Sequence, residues 1–170
     1  MSAKPKFTLV ASRDEGLWGP RDLGFHPERE GELWIVNKGD ESVVIVFGAT
    51  GEDRTYEKRR DPARVHFMSI VSSIAYGEKT YRDDYTFATY QESVNTYGGT
   101  AEPNYFMGPA LWSSRLDVFA VQDLMGGGLG SHLDMLHHSP LCMGIAHETQ
   151  NAYWVFDGYN GQIEIGRAHV

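Results

Sequence analysis

Sliding this chain against itself by 120 residues lays PRDLGFHPEREGELWIVNKGDESV, residues 20–43, on PLCMGIAHETQNAYWVFDGYNGQI, residues 140–163, without a gap. Pro20 meets Pro140, Gly24 meets Gly144, Glu28 meets Glu148 and Trp34 meets Trp154. Asn37 meets Asp157 and Asp40 meets Asn160. A weaker third copy, SSIAYGEKTYRDDYTFATYQESVN, fills residues 72–95. Internal similarity of this kind marks a repeat architecture, in which each unit buries its apolar face only against a neighbour.

Each unit reads as a strand, a turn, a longer aromatic strand and a polar turn. The runs ELWIVN, SVVIVFG, YTFATY, LDVFAV and AYWVFD are short and rich in β-branched and aromatic residues. Gly, Asn, Asp and Pro punctuate them, so the fold class is all-β. The P-x-x-[LM]-G-[FI] opening and the LWIVNKGDESVVIV and YWVFDGYNGQI bodies resemble blades of an NHL-repeat β-propeller. The resemblance covers residues 17–164 and implies four-stranded antiparallel blades. It places them at about residues 21–68, 72–138 and 142–164, the last one truncated, within a partial propeller over residues 13–164. The last six residues, IGRAHV, resemble a translated sequencing adapter. The expectation is that residues 165–170 are a non-native tail and that missing blades of the full-length chain are a partner of this piece. An open arc of blades would leave Tyr153, Val155 and Ile163 exposed. Trp34 and Trp154 are expected to pack between blades.

A net charge of −8 and a pI near 5.3 repel phosphate backbones and anionic membranes. No nucleic-acid or membrane partner is expected. No stretch has the apolar core of a secretory signal or the roughly 18 apolar residues of a membrane helix. The one cysteine, Cys142, excludes an internal disulfide. GGGLGS at 126–131 imitates a phosphate loop, but Pro140 leaves no room for the long helix that a dinucleotide site needs.

Residues 131–148, SHLDMLHHSPLCMGIAHE, hold four of the seven histidines. On propeller topology His147 falls at one end of a first strand, and His137 and His138 towards the other. A strand of four or five residues separates those ends by roughly 13–17 Å, far more than the about 2.1 Å that zinc allows each nitrogen. A local alternative reads SHLDMLHH as a short helix capped by Ser131. Both readings break up the cluster. His137 and His138 remain the candidate ligands for a divalent metal, zinc or calcium, and His26 and His66 read as hydrogen-bonded loop residues.

The turns NKGDES (37–42), QESVNT (91–96) and DGYNGQ (157–162) each follow a second strand. They are expected on one face, with Gln91, Glu92, Asn95, Asp157 and Asn160 as ligand-binding candidates. These types are also ordinary turn formers. The functional expectation is a propeller scaffold that binds a small molecule or peptide on this face. The alternative is a metal-dependent propeller enzyme of the amidating-lyase or lactonase type, which the resemblance alone suggests.

Overall fold

The computed structural model describes residues 5–80, 85–92, 107–121 and 131–168. The chain builds three antiparallel meanders in succession. The first contains β1 (Pro20–Phe25), β2 (Leu33–Asn37), β3 (Ser42–Phe47) and β4 (Thr55–Arg59), in spatial order 1-2-3-4. A four-residue helix, α1 (Arg64–Phe67), leads to the second: β5 (Val71–Lys79), β6 (Tyr85–Gln91), β7 (Ala110–Ser113) and β8 (His132–Met135). The third has three strands, β9 (Cys142–Thr149), β10 (Ala152–Asp157) and β11 (Gln162–Arg167). Among the described residues no helix is long and apolar enough to cross a membrane.

The second sheet lies between the other two, with β5 against both β1 and β9. Trp34, Val36, Val43 and Ile45 of the first sheet pack on Ile74, Phe87 and Trp112 of the second. The opposite face of the second sheet carries Ala88, Tyr90 and Leu111, which meet Cys142, Tyr153 and Val155 of the third. The first sheet's other face, with Leu33, Ile35, Val44 and Val46, is covered by Val10, Ala11 and Leu17 of the N-terminal segment. This explains why β2 and β3 read as unbroken apolar runs: covered on both sides, they have no reason to alternate. Strand β10 does alternate. Tyr153 and Val155 point into the core at 0% and 1% exposure, and Trp154 and Phe156 point out.

The matched repeat positions therefore have different environments. Trp34, Val36, Val43 and Ile45 are all at 0% exposure, whereas Trp154, Phe156, Ile163 and Ile165 stand at 43%, 52%, 59% and 42%. The expectation that Tyr153 and Val155 would be exposed is overturned, because their face is the one the second sheet covers. Trp154 stands on the uncovered face. The strand ladder also slips by two residues between copies: Gly24 pairs with Trp34, but Gly144 pairs with Phe156. An even slip keeps every side chain on its face.

Strand β11 runs on to Arg167: Ile165, Gly166 and Arg167 pair with Trp154, Tyr153 and Ala152, and Ala168 is buried in the second core. The alternation of Ile163 and Ile165 simply continues the ladder. Two further expectations are corrected. LDVFAV forms a turn instead of a strand, closed by Val118 and Phe119 N–H bonds to the Arg115 carbonyl, with Phe119 as a buried plug against Trp34 and Trp112. Residues His132–Met135 form a strand, so the helical alternative for SHLDMLHH fails.

Candidate ligand-binding face

The ends of β2, β6 and β10 come to one side of the stack through a continuous line of contacts. Pro20 pairs with Asn37, Arg21 reaches the Glu92 carboxylate at 3.4 Å, and Gln91 pairs with Val71. Next to Val71, Ser72 Oγ donates to the Cys142 carbonyl at 3.2 Å, and Cys142 pairs with Asp157. The rim thus holds the start of each polar turn.

The first turn is organised from below by buried Asn37. Its Nδ2 donates to Ser42 Oγ at 2.9 Å and to the Gly16 carbonyl at 3.2 Å, and its Oδ1 accepts from the Trp18 N–H at 3.1 Å. Asp40 accepts from Ser42 Oγ at 2.6 Å and pairs with Lys58 at 2.6 Å and with Arg60. Partial burial raises the Asp40 pKa, but these partners outweigh it and hold the carboxyl below its ordinary range. Lys38 crosses to the second sheet and pairs with Glu92 at 2.5 Å.

Gln91 lies on the same face of β6 as Phe87 and Thr89, facing the first sheet. It is 2% exposed, and among the described residues neither Nε2 nor Oε1 has a hydrogen-bond partner. Asp157 and Asn160 do something different. Buried Asp157 accepts from the N–H groups of Tyr159 and Asn160 at 2.8 and 3.1 Å and from Asn160 Nδ2 at 2.6 Å. Both residues close their own turn. Asn95, with residues 93–96 of its turn, lies outside the described residues.

His137 and His138 border a separate cavity of about 250 Å³, with Ser139, Val155 and Glu164, where the outer strands of the second and third sheets meet. Ser139 Oγ donates to Glu164 there, and His138 has a left-handed backbone at φ 75°. His147 sits at the other end of β9, opposite Tyr153, with its Nε2 bonded to the Gln150 carbonyl at 2.8 Å. His132 stacks on Phe67 at 3.7 Å, and burial lowers its pKa and that of nearby His66. Among the described residues no three His, Cys, Asp or Glu side chains are placed to share a metal ion. A zinc site needs at least three protein ligands, so the described residues do not by themselves complete one.

No protein-family model matches the chain, and no curated protein does. The site therefore rests on its own geometry.

One part of the rim was missed in the sequence. Trp18 lies outside the repeat, half-exposed, beside a cleft of about 460 Å³ bordered by Arg13, Arg21, Lys38 and Gly39. Its ring packs against Gly39, where an added Cβ would come within 1.7 Å of Trp18 Cδ1. The Arg13 guanidinium stands 4.6 Å from the ring centre. The stretch RDEGLWGPR, a tryptophan between glycines with arginine on either side, was the available signal.

Proposed function

We propose that this chain is a propeller-type scaffold of the NHL-repeat kind that binds a small molecule or peptide at the rim where β2, β6 and β10 end. Three antiparallel sheets packed face to face in chain order, with β1, β5 and β9 adjacent, support the blade reading. The observation that carries the binding reading is Gln91. A buried amide left unpaired costs about 1–3 kcal/mol, a large share of the roughly 5–15 kcal/mol that stabilises a typical domain. Such a group is satisfied when a ligand's polar atoms reach it. Groups that work in sites commonly lower the stability of the empty protein.

The test is thermal unfolding of wild type and Gln91→Leu against a panel of acetate, benzoate, glutamate, their amides and short dipeptides. Gln91→Leu should unfold at higher temperature than wild type and lose the upward shift that a binding compound gives wild type. A Gln91→Leu protein less stable than wild type would mean that the amide serves the fold, and would remove the support for this reading. The metal-dependent lyase or lactonase alternative draws nothing from the described residues, where no three ligands converge.

A further inference from the structure

We infer that the cleft beside Trp18 is a binding site for a small organic acid, whose carboxylate takes the two bordering cations, Lys38 and Arg21, that Glu92 pairs with from the neighbouring sheet. The inference rests on the rim reading above and gives it a ligand class.

The chain has 15 basic and 23 acidic residues, yet the cleft is bordered by Arg13, Arg21 and Lys38, with no acidic residue among the described lining. Three nearby carboxylates are engaged elsewhere. Glu15 accepts from Ser12, Asp22 accepts from the Ile74 and Leu23 N–H groups, and Asp40 pairs with Lys58 and Arg60. From the neighbouring sheet Glu92 pairs with two of these cations: its Oε2 lies 2.5 Å from Lys38 Nζ and 3.4 Å from Arg21 Nη2. Two cations converge on one carboxylate oxygen, which is the arrangement that would hold a ligand's carboxylate.

The Glu92 pairs are exchangeable. Their side chains keep 23–42% of their surface in solvent, and ion pairs that exposed are weak. Little is lost when a second carboxylate replaces Glu92. Trp18 supplies the other half of the site. Its N–H is held by Asn37, its carbonyl accepts from the Gly39 N–H at 2.9 Å, and its ring rests on Gly39. The indole is thus fixed before any ligand arrives, and half of it is exposed to take an apolar or aromatic group. A compact acid with a ring or short apolar body fits a cleft of about 460 Å³.

Benzoate is the probe and benzamide the control. The readout is the indole N–H resonance of Trp18, assigned by its loss in Trp18→Phe. Benzoate should shift it saturably and benzamide should not. Glu92→Gln vacates the cations and should tighten benzoate several-fold; Lys38→Met should weaken it by a similar factor, the size of an ion pair this exposed. No saturable shift in wild type or in Glu92→Gln overturns the site. Equal shifts with benzoate and benzamide overturn the carboxylate class but leave the rim as a binding face. Benzoate binding that Gln91→Leu abolishes and Lys38→Met leaves intact also overturns the cleft, and moves the ligand to the buried end of β6.

Discussion

Trp34 and Trp154 occupy the same place in the repeat, and replacing each with alanine separates the two faces they stand on. Trp34 is fully buried, with ring centres at 5.0 Å to Phe87, 5.3 Å to Phe119 and 6.3 Å to Tyr76. Its Nε1–H donates to Glu32 Oε1 at 2.6 Å, and Glu32 is itself buried and clamped by Arg29 at 2.7 and 2.8 Å. Removing a buried tryptophan costs about 3–5 kcal/mol, and the lost bond to a buried carboxylate adds about 1 kcal/mol or more. Trp154 is 43% exposed and faces Ile165 across the strand pair. Its removal leaves no closed cavity, and the lost cross-strand contact is worth about 1 kcal/mol at most. Urea unfolding of Trp34→Ala and Trp154→Ala should therefore differ by about 3 kcal/mol or more, with Trp34→Ala the weaker. A Trp34→Ala protein that is unfolded without urea, beside a folded Trp154→Ala, is the extreme form of the same result. Equal costs would refute the stacking of the first sheet's inner face on the second sheet.

Two further outcomes follow from the same geometry. His26 Nδ1 accepts from the N–H groups of Glu28 and Arg29 at 3.2 and 3.0 Å, so its Nε2–H donates to Ser114 Oγ at 3.0 Å and the ring is neutral. Burial, joined by the charge of Arg29, lowers its pKa to about 4. The neutral ring belongs to the folded state, so this contribution is complete above pH about 6.5 and is lost as pH falls towards 4, by at most about 3 kcal/mol. Denaturant titrations across that window should show the fall, and His26→Gln should flatten it. The outer face of the third sheet, with Met143, Trp154, Phe156, Ile163 and Ile165 exposed, should drive concentration-dependent self-association. Trp154→Glu with Ile163→Lys should shift the protein to a later, monomeric elution in size-exclusion chromatography.

The strands and the places of the polar turns were legible because apolar runs and turn formers are local signals. Asn37 and Asp157 fall at the ends of β2 and β10, as the repeat predicts. What covers a strand is not local. Trp34 and Trp154 look alike in sequence, and only the second sheet's position makes one a core residue and the other a surface one. Phe119 sits in a run that alternates like a strand, but the turn at Arg115–Phe119 tucks it into the core as a plug. At the rim, the residue types that bind ligands are the types that close turns. Asp157 and Asn160 spend their polar atoms on their own turn, whereas Gln91 has no partner among the described residues, and no pattern in the sequence separates the two cases. Trp18 was missed because it stands outside the repeat that guided the reading.

The claim that the rim is a binding face is tested most directly by amide hydrogen exchange. Exchange would be measured with and without saturating amounts of the compound that shifts unfolding most in the thermal panel. Bound ligand should slow exchange at residues 18–21, 37–40 and 91–92 and leave residues 145–150, at the far end of β9, unchanged. Slowing confined to residues 145–150 or to 137–139, with no change along the rim, would contradict it.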